Sequence, residues 1–247
     1  MPALSVAFPA HNEAENIEDV LAAAVQALRN IEPDYEIVVV DDGSRDETAA
    51  HVLKCAQTNA RVRLVQHEVN RGYGAAVWTG LTASRGDMLF YTDADGQFRL
   101  EELPLLVAEM PPADMVIGYR RHRQDPWLRR LNGWGWTSLV NALFGHAARD
   151  VDCAFKLMRR EVVEALPVKS RGATFSAELL VRARRAGYVV HEVGVTHLPR
   201  LKGTPSGAKP AVIVRAFKEL VILWRELQLH PQPSAAGVQT AGHERAS

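Results

Sequence analysis

Segments of strand length alternate with segments of helical periodicity through the first hundred residues of the chain. Apolar and β-branched runs predict strands at residues 4–8, 36–40, 62–66 and 88–91. After the first strand, apolar side chains recur at helical spacing, at Ile17, Val20, Leu21, Val25 and Leu28. Strands that alternate with helices in this way form βαβ units around a parallel sheet. The sequence therefore predicts an α/β fold with a mostly parallel central sheet flanked by helices.

Proline and capping signals mark where the predicted elements begin and end. Pro9 is expected to end the first strand, because proline cannot donate to a strand ladder. Ser44 and Glu47 have the spacing of a capping box for the second helix, and a third helix is predicted over residues 75–84. Pro210 suits the first turn of a C-terminal helix. One apolar stripe of that helix is expected to pack on the core, and the alternative is a docking face for a membrane or a partner. The stripe is formed by Ile213, Phe217, Leu220, Trp224 and Leu227.

Composition argues against several classes of protein. Lys plus Arg and Asp plus Glu both number 29, so the chain lacks the basic excess of nucleic-acid-binding proteins. The two cysteines, Cys55 and Cys153, are far apart, which is typical of reduced cytosolic proteins. The N-terminus shows no leader pattern, and the longest stretch without Asp, Glu, Lys or Arg, residues 131–148, is interrupted by polar residues and glycines. We therefore expect a soluble or peripherally attached protein.

Acidic side chains follow three of the predicted strands. Glu13 follows the first strand, Asp41 and Asp42 end the second, and Asp93 and Asp95 follow the strand at residues 88–91. Ligands of parallel sheets collect at the carboxyl ends of the strands, so these acids are expected at one edge. Their mutual repulsion would be relieved by a cation, by ribose hydroxyls or by base donors. The pattern favours a site for a nucleotide and a metal; the alternative is that these residues only form turns and helix caps.

The stretch at residues 92–97 carries the strongest metal signal. Asp93, Asp95 and Gln97 supply carboxylate and amide oxygens, which are the ligands that Mg²⁺ and Mn²⁺ prefer. No GxGxxG follows the first strand and no GxxxxGK[ST] occurs in the chain, which argues against an NAD-binding fold and against a P-loop.

Eight short motifs occur along the chain in order. They read FPAHNEAENI at residues 8–17, VVVDDGSRDET at 38–48, NRGYG at 70–74, TDADGQ at 92–97, IGYR at 117–120, DVDCAFK at 150–156, FSAELL at 175–180 and HLPR at 197–200. This ordered set resembles glycosyltransferase family 2 over roughly residues 4–225, and more narrowly its dolichol-phosphate mannose synthase and polyprenyl-phosphate glycosyltransferase branch. The resemblance implies a GT-A fold, a nucleotide-diphosphate sugar donor, Mg²⁺ or Mn²⁺, and transfer with inversion.

The resemblance also implies roles for residues at the motif positions. Carried over by position, the residues that line the nucleotide are Pro9, His11, Glu13, Asp42, Asp93 and Ala94. Asp93, Asp95 and Gln97 face the metal and the diphosphate, with Asp95 as a catalytic residue. One domain is expected over residues 1–229, with a nucleotide-binding half at about 1–110 and an acceptor half at about 111–229. The tail at residues 230–247 is expected to be disordered, because Pro, Gln, Ser, Ala and Gly predominate there.

Arginines are concentrated at the start of the acceptor half. Within eleven residues the chain carries Arg120, Arg121, Arg123, Arg129 and Arg130. The planar guanidinium group suits phosphate oxygens, so a phosphate-bearing acceptor is the expected partner, held by Arg120 and Arg130. A charge run of this kind can also be a solvated face. Nucleic acid is a competing partner, but no RNA-binding motif accompanies the arginines.

The segment at residues 127–144 combines tryptophans with flanking arginines. Amphipathic segments of this kind lie in bilayer interfaces, and the resemblance places helices that handle the lipid phosphate here. The alternative is a pair of helices in the core. We therefore expect a cytoplasmic protein at the cytoplasmic face of a membrane, attached peripherally or through a membrane-anchoring partner protein.

A glycine-containing loop that carries Arg200 and Lys202 is expected to close over the donor diphosphate. A phosphate acceptor is already anionic at pH 7, whereas a hydroxyl acceptor needs a base, for which Glu178 and Asp152 are the candidates. The predicted function is transfer of a sugar from a donor of the GDP-mannose or UDP-glucose type to a polyprenyl phosphate. The alternatives are a family 2 enzyme with a soluble hydroxyl acceptor and a non-catalytic nucleotide-sugar-binding protein.

Overall fold

A seven-stranded sheet runs through the centre of the computed structural model, which describes residues 2–121, 127–200, 202 and 210–229. The strands are β1 (Leu4–Ala10), β2 (Tyr35–Asp42), β3 (Val62–His67), β4 (Met88–Thr92), β5 (Met115–Arg121), β6 (Phe155–Arg159) and β7 (Val190–Thr196). Their order across the sheet is β3-β2-β1-β4-β6-β5-β7. Among the described residues only β6 runs antiparallel to its neighbours, β4 and β5. The predicted mostly parallel sheet is confirmed, and β4 is its central strand.

Helices cover both faces of this sheet. They are α1 (Ile17–Ile31), α2 (Thr48–Thr58), α3 (Tyr73–Ala83), α4 (Leu103–Val107), α5 (Trp127–Phe144), α6 (Arg160–Ala165), α7 (Phe175–Arg185) and α8 (Pro210–Leu229), with a short 3₁₀ turn at Leu100–Glu102. Successive residues of a strand point to opposite faces. In β4, Leu89 and Tyr91 pack with α3, α7 and α8, whereas Phe90 packs with α1. No described helix is both long and apolar enough to cross a membrane.

The first strand does not end at Pro9, as the sequence predicted. β1 continues to Ala10, and Pro9 pairs with Val40 of β2. On the other side of β1, the pairing with β4 ends at Ala7 and Tyr91. Pro9 therefore lies where β1 has a strand neighbour on one side only, which is a position at which a missing N–H group is tolerated.

The predicted capping box at Ser44 and Glu47 is wrong. Helix α2 begins at Thr48, and Glu47 makes no side-chain capping bond. The Ser44 hydroxyl instead accepts a hydrogen bond from the backbone N–H of Asn12 at 2.9 Å. Ser44 therefore joins the loop after β2 to the loop after β1, because the turn through Gly43 (φ +65°) brings these two loops together before the helix starts.

Helix α8 buries a different stripe from the one predicted. Leu220 and Leu227 are buried as expected, but Phe217 and Trp224 are 47% and 39% exposed. Ala216 and Leu223 complete the buried face instead. The segment at residues 127–144 is one helix, α5, rather than a pair. The predictions for Arg123, for the side chain of Ile213, for loop residues 203–207 and for the tail at 230–247 lie outside the described residues.

Candidate active site

The carboxyl ends of six parallel strands open at one edge of the sheet, and the loops that follow them carry most of the predicted site residues. Glu13 follows β1, Asp42 ends β2, Asp93 follows β4, Arg120 lies near the end of β5, and Arg200 follows β7. The antiparallel strand β6 begins at the same edge, after the loop that carries Asp150 and Asp152. The fold therefore brings residues from nearly the whole length of the chain to one edge.

Asp93 and Asp95 form a pair of carboxylates directly after the central strand. The Tyr73 hydroxyl donates to Asp93 Oδ1 at 2.9 Å. Burial raises the pKa of Asp93 to about 7 and the charge of Asp95 adds to the rise, while Tyr73 and the charges of Arg120 and Lys156 oppose it. Burial also raises the pKa of Asp95. A cation beside this pair would allow both groups to ionise fully.

These residues fit a hard divalent cation in part. Asp93 and Asp95 offer the carboxylate oxygens that Mg²⁺ and Mn²⁺ prefer. Within the described ranges no three His, Cys, Asp or Glu side chains cluster to hold a metal. The Gln97 side-chain amide donates to the Leu198 carbonyl at 2.9 Å, and its backbone N–H donates to Asp95 at 3.1 Å. Gln97 thus joins the Asp95 loop to the segment after β7, and its role as a metal ligand stays a prediction.

Arg200 links two loops that carry site acids. Its guanidinium lies 2.5 Å from Glu13 Oε1 and 3.4 Å from Asp95 Oδ2, and its Nε donates to the Lys202 carbonyl at 2.9 Å. The structure thus brings Arg200 to the predicted acids. Lys202 is placed differently, because its Nζ donates to the Glu15 carbonyl at 3.1 Å and pairs with Asp19 at 3.2 Å. Lys202 therefore fixes the Arg200 segment to the start of α1.

The residues predicted to line the nucleotide lie around the ends of β1, β2 and β4. The His11 Nδ1–H donates to the Asp42 carbonyl at 2.9 Å, and Pro9 and Ala94 are buried beneath these loops. The side chain of Asp42 accepts hydrogen bonds from the His67 ring at 2.6 Å and from the backbone N–H groups of Arg71 and Gly72 at 2.8 and 2.9 Å. These contacts assign Asp42 a role in holding the loop before α3. Direct contact between Asp42 and a nucleotide stays a prediction.

Glu178 lies in a different network from the site acids. It is buried and accepts hydrogen bonds from Arg182 Nε at 2.6 Å and from the backbone N–H groups of Lys169 and Ser170 at 3.1 and 2.6 Å. Arg182 also pairs with Glu226 of α8 at 2.9 Å. Both oxygens of the Glu178 carboxylate are already engaged by donors within the protein. The described contacts therefore favour a structural role for Glu178 over the predicted role of catalytic base.

A cavity of about 660 Å³ opens beside α5 in the second half of the chain. Its lining combines aromatic side chains with three arginines and one acid, and consists of Tyr119, Arg120, Trp127, Arg130, Leu131, Gly133, Trp134, Thr137, Arg149 and Asp150. It therefore contains both arginines predicted to hold an acceptor phosphate. Arg120, however, is paired with Asp150 through two bonds of 2.7 Å. A second cavity, of about 540 Å³, lies between α1 and α2 and contains none of the predicted site residues.

Three residues of this edge were missed at the sequence level. Tyr73 lies within the motif at residues 70–74, which was the available signal, and its hydroxyl donates to Asp93. Arg149 stands directly before Asp150 and was the one arginine of its loop. Lys156 is fully buried, donates to the carbonyls of Val151 and Cys153, and lies 5.5 Å from the centre of the Tyr91 ring. Its place at the end of the motif at residues 150–156 was the available signal.

Comparison with known proteins agrees with this architecture. A family model described as glycosyl transferase family 2 matches residues 5–166, which is about two thirds of the chain. The fold is similar to glucosyl-3-phosphoglycerate synthase from Mycobacterium tuberculosis in complex with phosphoglyceric acid, with a TM-score of 0.72 and 21% identity over 90% of this chain and 80% of that chain.

Two other complexes of that enzyme each match 90% of this chain. The complex with Mn²⁺, uridine diphosphate and phosphoglyceric acid has a TM-score of 0.69 and 21% identity, and 78% of it is covered. The complex with Mg²⁺ and uridine diphosphate has a TM-score of 0.69 and 20% identity, and 79% of it is covered. These similarities confirm the predicted GT-A fold.

Proposed function

The chain belongs to glycosyl transferase family 2, and we propose that it transfers a sugar from a nucleotide-diphosphate sugar to an acceptor that carries a phosphate group. The proposed donor is of the UDP-glucose or GDP-mannose type, the proposed cofactor is Mg²⁺ or Mn²⁺, and the transfer proceeds with inversion. One observation carries this proposal. The Asp93–Asp95 pair and the arginine-lined cavity open at the same edge of the sheet.

The donor half of the site is supported by its charges. Asp93 and Asp95 would hold the divalent ion, which supplies Lewis-acid neutralisation of the diphosphate leaving group when it is bound. The Tyr73 hydroxyl orients Asp93, and Gln97 holds the Asp95 loop against the segment that carries Arg200. Arg200 is close enough to the acids to stabilise charge on the diphosphate as the bond to the sugar breaks.

Two classes of phosphate-bearing acceptor fit the cavity. A soluble phosphorylated hydroxy acid is supported by the phosphoglyceric acid found in complexes of the structural neighbours. A polyprenyl phosphate is supported by the exposed side chains of Trp127, Leu128, Leu131 and Trp134 at and beside the cavity. The comparisons favour the soluble acceptor. The dolichol-phosphate mannose synthase branch, and attachment to a membrane, stay proposals that the exposed apolar residues support.

The two acceptors differ in the proton that must be removed. A phosphate monoester has a second pKa near 6, so its oxygen attacks the sugar without a base at pH 7. A hydroxyl group loses its proton to a base as it attacks. Glu178 is already bound by Arg182 and by two backbone N–H groups. Loss of transfer when Asp152 is replaced, together with transfer that survives in Glu178→Gln, would therefore support the hydroxyl acceptor.

A transfer assay tests the proposed function. The chain is incubated with UDP-glucose or GDP-mannose, with Mn²⁺, and with either phosphoglyceric acid or a short polyprenyl phosphate, and products are identified by mass spectrometry. We expect transfer that is lost with EDTA and in Asp95→Ala. The matched control is Asp87→Ala, which removes an exposed carboxylate just before the other end of β4. Transfer that survives both EDTA and Asp95→Ala overturns the metal mechanism, and donor binding without any transfer supports a non-catalytic protein.

A further inference from the structure

The guanidinium group of Arg120 is not available as a simple phosphate ligand. Its Nε and one terminal nitrogen each lie 2.7 Å from an oxygen of Asp150, and its backbone N–H donates to the same carboxylate at 3.2 Å. The two side chains are only 9% and 12% exposed. A bidentate pair of this kind is among the stronger charge-assisted contacts in proteins. A phosphate at Arg120 would have to compete with Asp150 for the same hydrogen-bond donors.

Arg149, another arginine of the cavity, is held in place by an aromatic ring rather than by a carboxylate. Its guanidinium carbon lies 5.2 Å from the centre of the Tyr119 ring, and its backbone N–H donates to Glu192 at 2.7 Å. The described residues provide no carboxylate partner for this guanidinium. Stacking on an aromatic ring uses the face of the guanidinium plane and leaves the in-plane N–H groups free to bind oxygen.

The ion pair between Arg120 and Asp150 fixes the position of Arg149. Tyr119 directly precedes Arg120 on β5, and Arg149 directly precedes Asp150 in the loop before β6. The ion pair therefore joins the strand that carries the ring to the loop that carries the stacked arginine. The positive charge of Arg120 is compensated by Asp150, so the charge that remains in the cavity lining comes from Arg130 and Arg149.

We propose that Arg149, stacked on Tyr119, binds the acceptor phosphate together with Arg130, and that Arg120 and Asp150 are positioning residues. This assignment rests on the proposed function, because it identifies the ligand of the acceptor cavity as a phosphomonoester. A phosphomonoester carries a charge between about −1.5 and −2 at pH 7, which two arginines match. The planar fork of arginine also fits two phosphate oxygens at once.

Binding of small phosphomonoesters to the full chain tests this assignment without turnover. Calorimetric titrations use phosphoglyceric acid and hexyl phosphate, each compared with its unphosphorylated counterpart, glyceric acid and hexanol. Arg149→Gln is expected to weaken binding of both phosphomonoesters by about ten- to a hundredfold, the usual effect of losing a charge-assisted hydrogen bond. Arg149→Lys keeps the charge without the fork, so a smaller loss is expected. The control is Arg85→Gln, an exposed arginine before the amino end of β4.

A second variant distinguishes Arg149 from Arg120. Replacing the ion pair with a neutral pair, Arg120→Gln with Asp150→Asn, is expected to weaken phosphate binding less than Arg149→Gln does. Wild-type affinity in Arg149→Gln overturns the assignment, whether or not the double variant folds. Tyr119→Leu removes the ring beneath Arg149, and it is expected to weaken binding of the phosphomonoesters with little change in nucleotide affinity. Titrations of uridine and guanosine diphosphates with Mn²⁺ into the same proteins test the proposed function separately. If the wild type binds neither nucleotide, that function is contradicted and this assignment is not.

Discussion

Arg200 lies between two carboxylates of the candidate donor site, which belong to different loops. It is 2.5 Å from Glu13 and 3.4 Å from Asp95, and both acids are predicted to serve the donor or its metal. A divalent ion bound at Asp95 would therefore compete with the guanidinium of Arg200 for one oxygen. The arginine proposed to stabilise the diphosphate would thus oppose metal binding in the absence of nucleotide.

Removing Arg200 is expected to have opposite effects on metal binding and on transfer. In Arg200→Ala, Mn²⁺ should bind about two- to fivefold more tightly without nucleotide, since the lost contact is of the strength of a partly exposed ion pair. Transfer should slow, because the diphosphate loses a cation. Calorimetric or spin-resonance titration of Mn²⁺ measures the first effect and single-turnover assays the second. Arg200→Lys keeps the charge and serves as control; weaker Mn²⁺ binding in Arg200→Ala contradicts the competition.

Asp93 gives the stability of the protein a defined pH dependence. Its pKa is about 7 in the folded chain against 3.8 for an ordinary aspartate, so the folded state retains a proton that the unfolded state releases between these values. The contribution of Asp93 to the free energy of unfolding therefore falls as the pH rises from about 4 to 7. With EDTA present, Asp93→Asn is expected to raise Tm at pH 8 and to raise it less at pH 5. The control is Asp87→Asn, and a lower Tm for Asp93→Asn at pH 8 contradicts the shift.

Among individual residues, the sequence predicts those whose place in the site follows from the strand that they directly follow. Asp93, Asp95 and Glu13 were found because acids directly after buried strands meet at one edge of a parallel sheet. The sequence assigned the acceptor phosphate to Arg120 and Arg130. It gave no sign that Arg120 is paired, because its partner Asp150 is 30 residues away in sequence. Contacts between loops distant in the chain leave no local signal.

Helix α3 packs its amino end against the loop before α7. A Cβ atom at Gly74 would lie 2.5 Å from the Phe175 Cβ and 2.8 Å from the Gly172 carbonyl oxygen. The backbone N–H of Ala75 donates to the Arg171 carbonyl at 3.0 Å, which holds the loop at this distance. The glycine thus permits the contact between the two halves of the chain on this side of the sheet.

Two glycine-to-alanine changes are expected to alter stability in opposite directions. Gly74→Ala should lower the free energy of unfolding by about 1–3 kcal/mol, because the added methyl group overpacks a buried contact. Gly135→Ala, in helix α5, should raise it by up to about 1 kcal/mol, because a Cβ there meets nothing within 4 Å and alanine favours the helix. Urea denaturation measures both values. The packing account is contradicted if Gly74→Ala is as stable as the wild type.

Helices α5 and α8 expose apolar side chains, and on α5 these lie beside arginines. Trp127 and Trp134 of α5 are 73% and 68% exposed, and the helix contains no Asp or Glu. Trp136 contacts Phe217 of α8 edge to face, with ring centres 5.9 Å apart. Val221 and Ile222 of α8 are exposed as well. The sequence predicted an interfacial segment at α5. For the apolar stripe of α8 it preferred packing on the core to a docking face, because helical spacing alone does not separate two apolar faces.

This surface is expected to bind anionic membranes. The protein should sediment with anionic liposomes at low salt and be released as the salt concentration rises, since Arg129 and Arg130 are exposed beside the tryptophans. Trp127→Ala with Trp134→Ala should weaken sedimentation, and Val69→Ala, an exposed residue elsewhere, is the control. Absence of binding at every salt concentration favours the soluble acceptor or a partner protein that provides the anchor.

Across the whole molecule, the second half of the chain completes the sheet that the first half begins. β6 lies between β4 and β5, and β7 pairs with β5 at the edge. This arrangement supports the proposal of one domain over residues 1–229, with donor binding in the first half and acceptor binding in the second. The regular βαβ pattern made the first half predictable from sequence. The reversed strand β6 was not predictable, because its neighbours are about 40 and 65 residues away along the chain.

The most direct test of the central claim is binding of nucleotide and metal to the Asp93–Asp95 site, measured by thermal unfolding. Uridine and guanosine diphosphates are added with and without Mn²⁺ to the wild type and to Asp95→Ala. A ligand that binds only the folded state at about 100 times its Kd stabilises that state by about 2.7 kcal/mol. We expect one of the nucleotides to raise Tm in the wild type when Mn²⁺ is present, and neither to do so in Asp95→Ala. Failure of both nucleotides in the wild type, or an equal rise in Asp95→Ala, contradicts the account.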